Sequence, residues 1–358
     1  MTPNYYAPRP GSSTGVADYA EALRKPLAQR GPLPLPLYHA GNNPLHADIY
    51  WQALKNPGVV VLHDAVLHHF LLGALSREQY IDEFTYNYGV WRRHFAEALW
   101  EERGASGSDI RYFDFPMLRR IVESSKAVIV HNPGAAAMAQ AHGAADIHVV
   151  PHFVECETIP DGAAADFRAK RGISPHVTLF GILGYLRESK RLVPSIDAFL
   201  KLHALKPNTA LLLEGTPVSS DVQRLLGEVG DHPAIYRVGF LEHGTFLAAA
   251  DALDCCINLR YPGAGETSGI AMRMMGLGKA VILSDGEQNA DIPATACLRV
   301  TPGVAEPAEL FDDMCMVSGF PEIARAIGNE ARRHVQEHHS LETAVDRYWE
   351  ILCAAASR

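Results

Sequence analysis

Short, unbroken apolar runs alternate along this chain with longer segments whose apolar positions recur every three or four residues. The runs are VVVLHD (Val59–Asp64), AVIVHN (Ala127–Asn132) and HVVPHF (His148–Phe153) in the first half. In the second half they are VTLFGIL (Val177–Leu183), ALLLEG (Ala210–Gly215), AIYRVG (Ala234–Gly239), CCINLR (Cys255–Arg260) and AVILSD (Ala280–Asp285). A run without polar alternation is the mark of a strand buried on both faces, as in a parallel sheet. Segments such as SIDAFLKLHAL and GTFLAAADAL carry helical spacing, so the chain reads as successive βαβ units. No internal repeat or low-complexity tract interrupts them. Glu155 to Pro175 lacks strand character and holds Pro and Gly, which marks a linker between two domains. The expected division is 1–156, 157–335, and a C-terminal helix over 336–358 crossing back to the first domain. Doubly wound domains bind ligands beyond the carboxyl ends of their strands, so a cleft between the two is the expected site.

Composition narrows the class. With 358 residues the chain is long enough for two cores, and 47% apolar against 20% charged residues is a globular balance. A net charge of −9 argues against a nucleic-acid partner, which wants a basic stripe, and allows at most peripheral membrane contact. No run is long enough to span a bilayer, and MTPNYYAPRPGSSTG has no apolar segment like a signal peptide's. Cys156, Cys255, Cys256, Cys297, Cys315 and Cys353 include no C-x-x-C pair and read as buried thiols of a cytoplasmic protein. Oligomeric state stays open.

Four motifs carry candidate chemistry. In LRYPGAGETSGIAMRMMGLG (Leu259–Gly278) a strand ends at Arg260, a glycine-rich turn holds Glu266, and Thr267, Ser268, Gly269 and Ile270 enter a helix. Free amides and the positive end of a helix dipole suit a phosphate; a glutamate beside them suits hydroxyls. A ligand with both ends, such as a sugar nucleotide, fits that pair. The bland reading is a capped helix with a solvated glutamate. GILGYLRESKRL (Gly181–Leu192) follows the first strand of the second domain and is not a dinucleotide fingerprint. Its Lys190 is expected to begin a helix, where the dipole disfavours a cation unless an anion offsets it. Lys190 and Arg187 are therefore phosphate candidates, against surface residues as the plain alternative. His63 and Asp64 close a strand and point toward a ligand crevice or, plainly, toward backbone. GSSTG, with Gly11, Ser13, Thr14 and Gly15, is first of all a helix cap and secondly a loop on the acceptor side. His68 and His69 read as helix surface or packing; His334, His338 and His339 read as solvated.

Together these stretches resemble glycosyltransferase family 4, the retaining GT-B enzymes, over nearly the whole chain. YHAGNNPLHADIYWQALKNPGVVVLHD is similar to one branch's G-N-x-x-x-H…PG-V-V-x-L-H-D stretch, GILGYLRESKRL to the glycine-then-lysine phosphate loop, and INLRYPGAGETSGIAMRMMGLGKAVILSD to the stretch that usually carries Glu-x7-Glu. The position eight after Glu266 is Met274, and Arg273 aligns with the second glutamate when counted back from Gly278. In the family that glutamate holds the nucleotide ribose; an arginine cannot accept hydroxyl hydrogen bonds.

The resemblance implies an α/β GT-B fold, two Rossmann-like doubly wound domains facing each other across a cleft. It implies a metal-independent retaining hexosyltransferase with no tightly bound cofactor, moving sugar from an NDP-sugar, UDP- or GDP-linked, to a glycan, glycoconjugate or small molecule, as in polysaccharide biosynthesis. Glu266, Lys190 and His63 would be catalytic, His63 lying near the donor sugar from the other domain. Gly184, Arg187, Lys190, Gly239, Arg260, Thr267, Ser268, Gly269, Ile270 and Arg273 would hold the donor, and Gly11, Ser13, Thr14, Gly15 and Asp64 the acceptor. Closure of the cleft would exclude water. The alternatives are a nucleotide-sugar epimerase of the same fold, which needs further acid–base carboxylates, and a non-catalytic nucleotide-sugar-binding or scaffold subunit.

Overall fold

The computed structural model describes residues 4–12, 14–155 and 157–358. The chain divides into two compact units. Unit 1 comprises Met1–Phe153, Pro262–Thr267 and His339–Arg358; unit 2 comprises Val154–Tyr261 and Ser268–His338.

Unit 1 is built on a parallel sheet in the order β1 (Tyr5–Tyr6), β2 (Leu37–Ala40), β3 (Val59–Leu62), β4 (Ala127–Val130), β5 (Ile147–Val149). Both faces are covered. Leu37, Val59, Val61, Ala127 and Ile129 pack against Leu23 and Leu27 of the helix Gly15–Gln29 and against Val345, Tyr348 and Leu352 of the helix Leu341–Ala356. The spacing of those last three residues puts them on one helical stripe. The alternate positions Tyr38, Val60, Leu62, Val128 and Val130 face a second core with Tyr50, Phe70, Tyr80 and Phe84.

Unit 2 is a six-stranded parallel sheet in the order β11 (Leu298–Val300), β10 (Ala280–Ser284), β9 (Cys255–Asn258), β6 (Thr178–Ile182), β7 (Thr209–Glu214), β8 (Ile235–Val238). Strands β6, β7 and β8 run outward one way and β9, β10 and β11 the other, the doubly wound arrangement. Cores lie on both faces, one around Leu179, Leu212 and Met274, the other around Phe180, Leu211 and Ile257.

All eight expected strands form: β7 keeps its six residues, shifted one position earlier, and the other seven are shorter by one to three residues. Three strands were not expected. Tyr5–Tyr6 is too short for a pattern, LYHA in β2 is broken by a buried histidine, and Leu298–Val300 carries a charged residue at the sheet edge. The stretch read as linker contains the helix Ala163–Ala169, whose four alanines are strong helix formers between Gly162 and Gly172. No helix among the described residues is long and apolar enough to cross a membrane. Cys255, Cys256 and Cys297 are buried free thiols, Cys315 and Cys353 are half-buried, and Cys156 lies outside the described residues.

Candidate functional site

In a doubly wound sheet the crevice opens where the strand order reverses, because the connections there leave toward opposite faces. In unit 2 that point is between β6 and β9. The segment after β6 turns at Gly184, whose φ of +84° favours glycine. Its amide donates to Glu214 Oε2 at the end of β7, 2.8 Å away. A one-turn 3-10 helix, Glu188–Lys190, follows, and the long helix begins only at Leu192. Lys190 therefore precedes the helix rather than starting it, because Arg191 takes a left-handed conformation with φ of +57°. Arg191 Nε donates to Glu306 Oε1 at 2.6 Å, and Glu306 is fully buried. That pair fixes the turn that carries Lys190.

Lys190 is buried, and its ammonium donates to the carbonyl of Leu183. Burial, and then the positive charge of Arg260, pull its pKa from 10.5 down to about 7. A lysine so desolvated beside another cation is destabilised as an ammonium until an anion arrives. After β9, the Arg260 amide donates to Ser284 Oγ (2.9 Å) and its guanidinium reaches Ser268 Oγ (3.4 Å). Ser268 caps the helix Gly269–Gly276 by accepting from Ala271 N. The amides of Gly269 and Ile270 fall in the first turn, where no carbonyl four residues back is available. Ile270 packs at the Gly184 turn: a Cβ on Gly184 would lie 3.4 Å from both Ile270 Cγ1 and Lys190 Nζ. Lys190, Arg260, Gly184 and the Ser268–Ile270 turn thus form one cationic cradle.

Pro262–Thr267, the segment leading from β9 to that helix, counts with unit 1. Its anchor is Asn132, buried after β4. Asn132 Nδ2 donates to the Gly265 carbonyl and to Thr267 Oγ1, each at 3.0 Å, while its Oδ1 accepts from Ala135 N and caps the helix Pro133–Ala141. Ala65 N donates to Ala264 O at 2.8 Å. Gly265 has φ of +72°, and a Cβ there would sit 2.8 Å from Ala65 Cβ, so only glycine fits. Glu266 Oε2 accepts from Ala264 N at 2.7 Å, which folds the carboxylate back over its own turn.

Elsewhere in unit 1 the sheet ends in a line of histidines. His39, His63 and His131 continue the face of Leu37, Val61 and Ile129 by two residues each. His131 Nδ1 must donate to the Val150 carbonyl (2.9 Å), so its Nε2 accepts from His63 Nδ1 (3.2 Å), and His63 Nε2 accepts from His39 Nδ1 (2.9 Å). The chain ends at His39 Nε2, buried and without a hydrogen-bond partner among the described residues. Tyr19 lies against His39, His63, His131 and His152. Burial holds all four rings neutral: His39 and His152 fall to about 3, His131 to about 4, and His63 well below its usual value.

Asp64 Oδ2 accepts from Asn42 N at 2.8 Å. Thr14 caps the helix Gly15–Gln29 by accepting from Val16 N, with Gly11 exposed ahead of it; Ser13 lies outside the described residues. Arg187 is exposed, its guanidinium 5.7 Å from the Tyr185 ring, and Gly239 is exposed past the end of β8. Arg273 Nε lies 3.3 Å from Glu157 Oε1, and Met274 is buried in the core. His339 and His334 are buried rather than solvated; His339 Nδ1 donates to the His152 carbonyl. His68 is buried between the Phe115 carbonyl and Tyr80. The reading of single motifs missed Asn132, Glu157, Glu214, Glu306, His39 and His131. The repeated histidine at the strand ends VVVLHD and AVIVHN is a signal for two members of the chain.

No protein-family profile matches the sequence, and a search of curated proteins finds no match. Solved structures match along nearly its whole length. WaaG, a glycosyltransferase involved in lipopolysaccharide biosynthesis, is 16% identical, with 96% of this chain and 98% of that one covered at a TM-score of 0.65. HepE from Anabaena in complex with UDP is 13% identical, covering 98% and 99% at a TM-score of 0.64. Sucrose-phosphate synthase from Thermosynechococcus elongatus is 19% identical, covering 87% and 72% at 0.59. HepE has also been solved with UDP-glucose. With its two parallel-sheet units, this chain has the GT-B fold of those glycosyltransferases.

Proposed function

We propose that the protein is a retaining, metal-independent glycosyltransferase that moves a hexose from an NDP-sugar to a carbohydrate or glycoconjugate acceptor. The observation that carries this reading is the cradle at the strand reversal of unit 2. There a buried lysine, an arginine and a helix N-terminus converge, and among the described residues no carboxylate is bonded to the lysine. The bond from the anomeric carbon to the diphosphate breaks, and the acceptor oxygen bonds that carbon on the same face. The acceptor's proton passes to the leaving diphosphate. Lys190, Arg260 and the amides of Ser268 to Ile270 stabilise the growing charge, with Gly184 admitting the diphosphate and Arg187 adding a third cation. Removing one such preorganised donor costs about 3 kcal/mol of transition-state stabilisation. Thr267 and Gly239 complete the donor contacts. Glu266 accepts hydrogen bonds from the sugar hydroxyls.

Unit 1 binds the acceptor, with Gly11, Ser13, Thr14, Gly15 and Asp64 on that side. His63 has a positioning part toward the sugar; with the ring neutral, its one N–H given to His131 and its other nitrogen accepting from His39, it takes no part in proton transfer. UDP and GDP are the leading nucleotides, and the UDP-bound relatives of this fold favour the first. The test is incubation with UDP-, GDP-, ADP- and TDP-sugars, with and without acceptors, following NDP release and the anomeric configuration of the product. NDP release with a retained α-linkage from an α-donor supports the proposal. Recovery of an epimerised sugar, or tight binding with no turnover, contradicts it.

A further inference from the structure

The cradle's cations and helix amides supply donors only. Lys190, Arg260 and the helix amides can hold a diphosphate, but none can accept a hydrogen bond from a hydroxyl. A nucleoside diphosphate carries a ribose diol beside its phosphates, and Rossmann-type sites meet that diol with a carboxylate. We infer that Glu157 is that acceptor, held in place by Arg273 and His243; this rests on the donor-site reading above.

The geometry runs along one helix face. Ile270, at the cradle, and Arg273 are three residues apart on Gly269–Gly276, so Arg273 lies one turn, about 5 Å, further along the same side. Arg273 Nε reaches Glu157 Oε1 at 3.3 Å, and its guanidinium lies 5.7 Å from the Phe246 ring. The other carboxylate oxygen, Oε2, bonds His243 Nε2. His243 opens the helix Ala252 ends, in the connection that leaves the carboxyl end of β8. Two elements of the ligand-binding edge therefore grip one carboxylate from the segment before the helix Ala163–Ala169. A carboxylate has about four lone-pair directions, and two partners leave roughly one free on each oxygen. The Glu157 side chain is 20% exposed, enough for a hydroxyl to reach it. An arginine on the helix thus presents, through its ion pair, the acceptor it cannot itself be.

The experiment is calorimetric binding of UDP and GDP, and of their 2′-deoxy counterparts, to wild type, Glu157→Ala, Glu157→Gln and Lys190→Met. A hydrogen bond to a charged group corresponds to about tenfold or more in affinity. Wild type is expected to prefer the ribonucleotide by about that factor. Glu157→Ala and Glu157→Gln should lose affinity for the ribonucleotide alone, erasing or shrinking the preference, while Lys190→Met weakens both sugars alike. A preference that survives intact in both Glu157 variants, or wild type binding the ribo and deoxy forms equally, overturns the assignment. Wild type binding neither UDP nor GDP overturns the donor site itself, and this assignment with it.

Discussion

Lys190 concentrates the chemistry of the site. Its ammonium has lost its water, leans on one backbone carbonyl and faces Arg260, so near neutral pH it is poised between its charged and neutral forms. An incoming diphosphate reverses the balance by stabilising the charge. The sign follows: the free site loses its lysine proton as pH rises through about 7, and the complex keeps it to higher pH. Binding therefore weakens as pH rises above 7 and draws a proton from solution. At about pH 8, calorimetry of UDP or GDP binding in buffers of different ionisation enthalpy should register uptake of close to one proton in wild type. Lys190→Arg, which is charged at every accessible pH, should register none. Absence of uptake in wild type would mean that the lysine does not meet the diphosphate.

The elements explain how small groups are held. The glycine-rich turn Pro262–Thr267 has little regular structure of its own, and Asn132 fixes it while capping a neighbouring helix. The two tasks separate by substitution. Asn132→Ala removes the cap and the turn contacts, with an expected loss of about 2 kcal/mol in stability. Asn132→Asp keeps the cap oxygen but leaves Gly265 O and Thr267 Oγ1 without a donor. Its stability should stay within about 1 kcal/mol of wild type while NDP release falls tenfold or more. If release tracks stability in both variants, Asn132 is a cap and nothing else.

At this scale the sequence was most readable. Strands buried on both faces write themselves as apolar runs, and the two turns after β6 and β9 carry glycines and charges where the sheet reverses. What was hidden depends on distant partners. That Lys190 precedes its helix follows from Arg191 pairing with Glu306, more than a hundred residues away. That Arg273 faces Glu157 likewise joins residues more than a hundred positions apart. The histidines of unit 1 were read singly, because only the pairing of β2, β3 and β4 lines them up.

On the scale of the whole molecule the two units differ in their buried charge chemistry. Unit 1 buries His39, His63, His68, His131 and His152 as neutral rings, all with pKa values driven down by burial. Unfolded, each would take a proton near pH 6.5. Stability from these groups is complete above that value and is lost as pH falls from 6.5 toward about 4 and 3. Each ring contributes up to about 1.4 kcal/mol per pH unit in that window. Hydrogen exchange at pH 5 should therefore deprotect β2, β3 and β4 before β6, β7 and β9. Equal loss in both units would contradict the neutral histidine chain.

The central claim is that unit 2 holds a sugar nucleotide by its diphosphate and that the protein breaks the bond to the sugar. The most direct measurement is NDP release from UDP-glucose and GDP-linked hexoses by wild type, Lys190→Met and Glu266→Ala, each verified as folded. Wild type should release NDP measurably from at least one donor, faster with an acceptor present. Lys190→Met, whose diphosphate contact is gone, should lose about a hundredfold or more, and Glu266→Ala a similar factor. Release that persists unchanged in Lys190→Met would contradict the account.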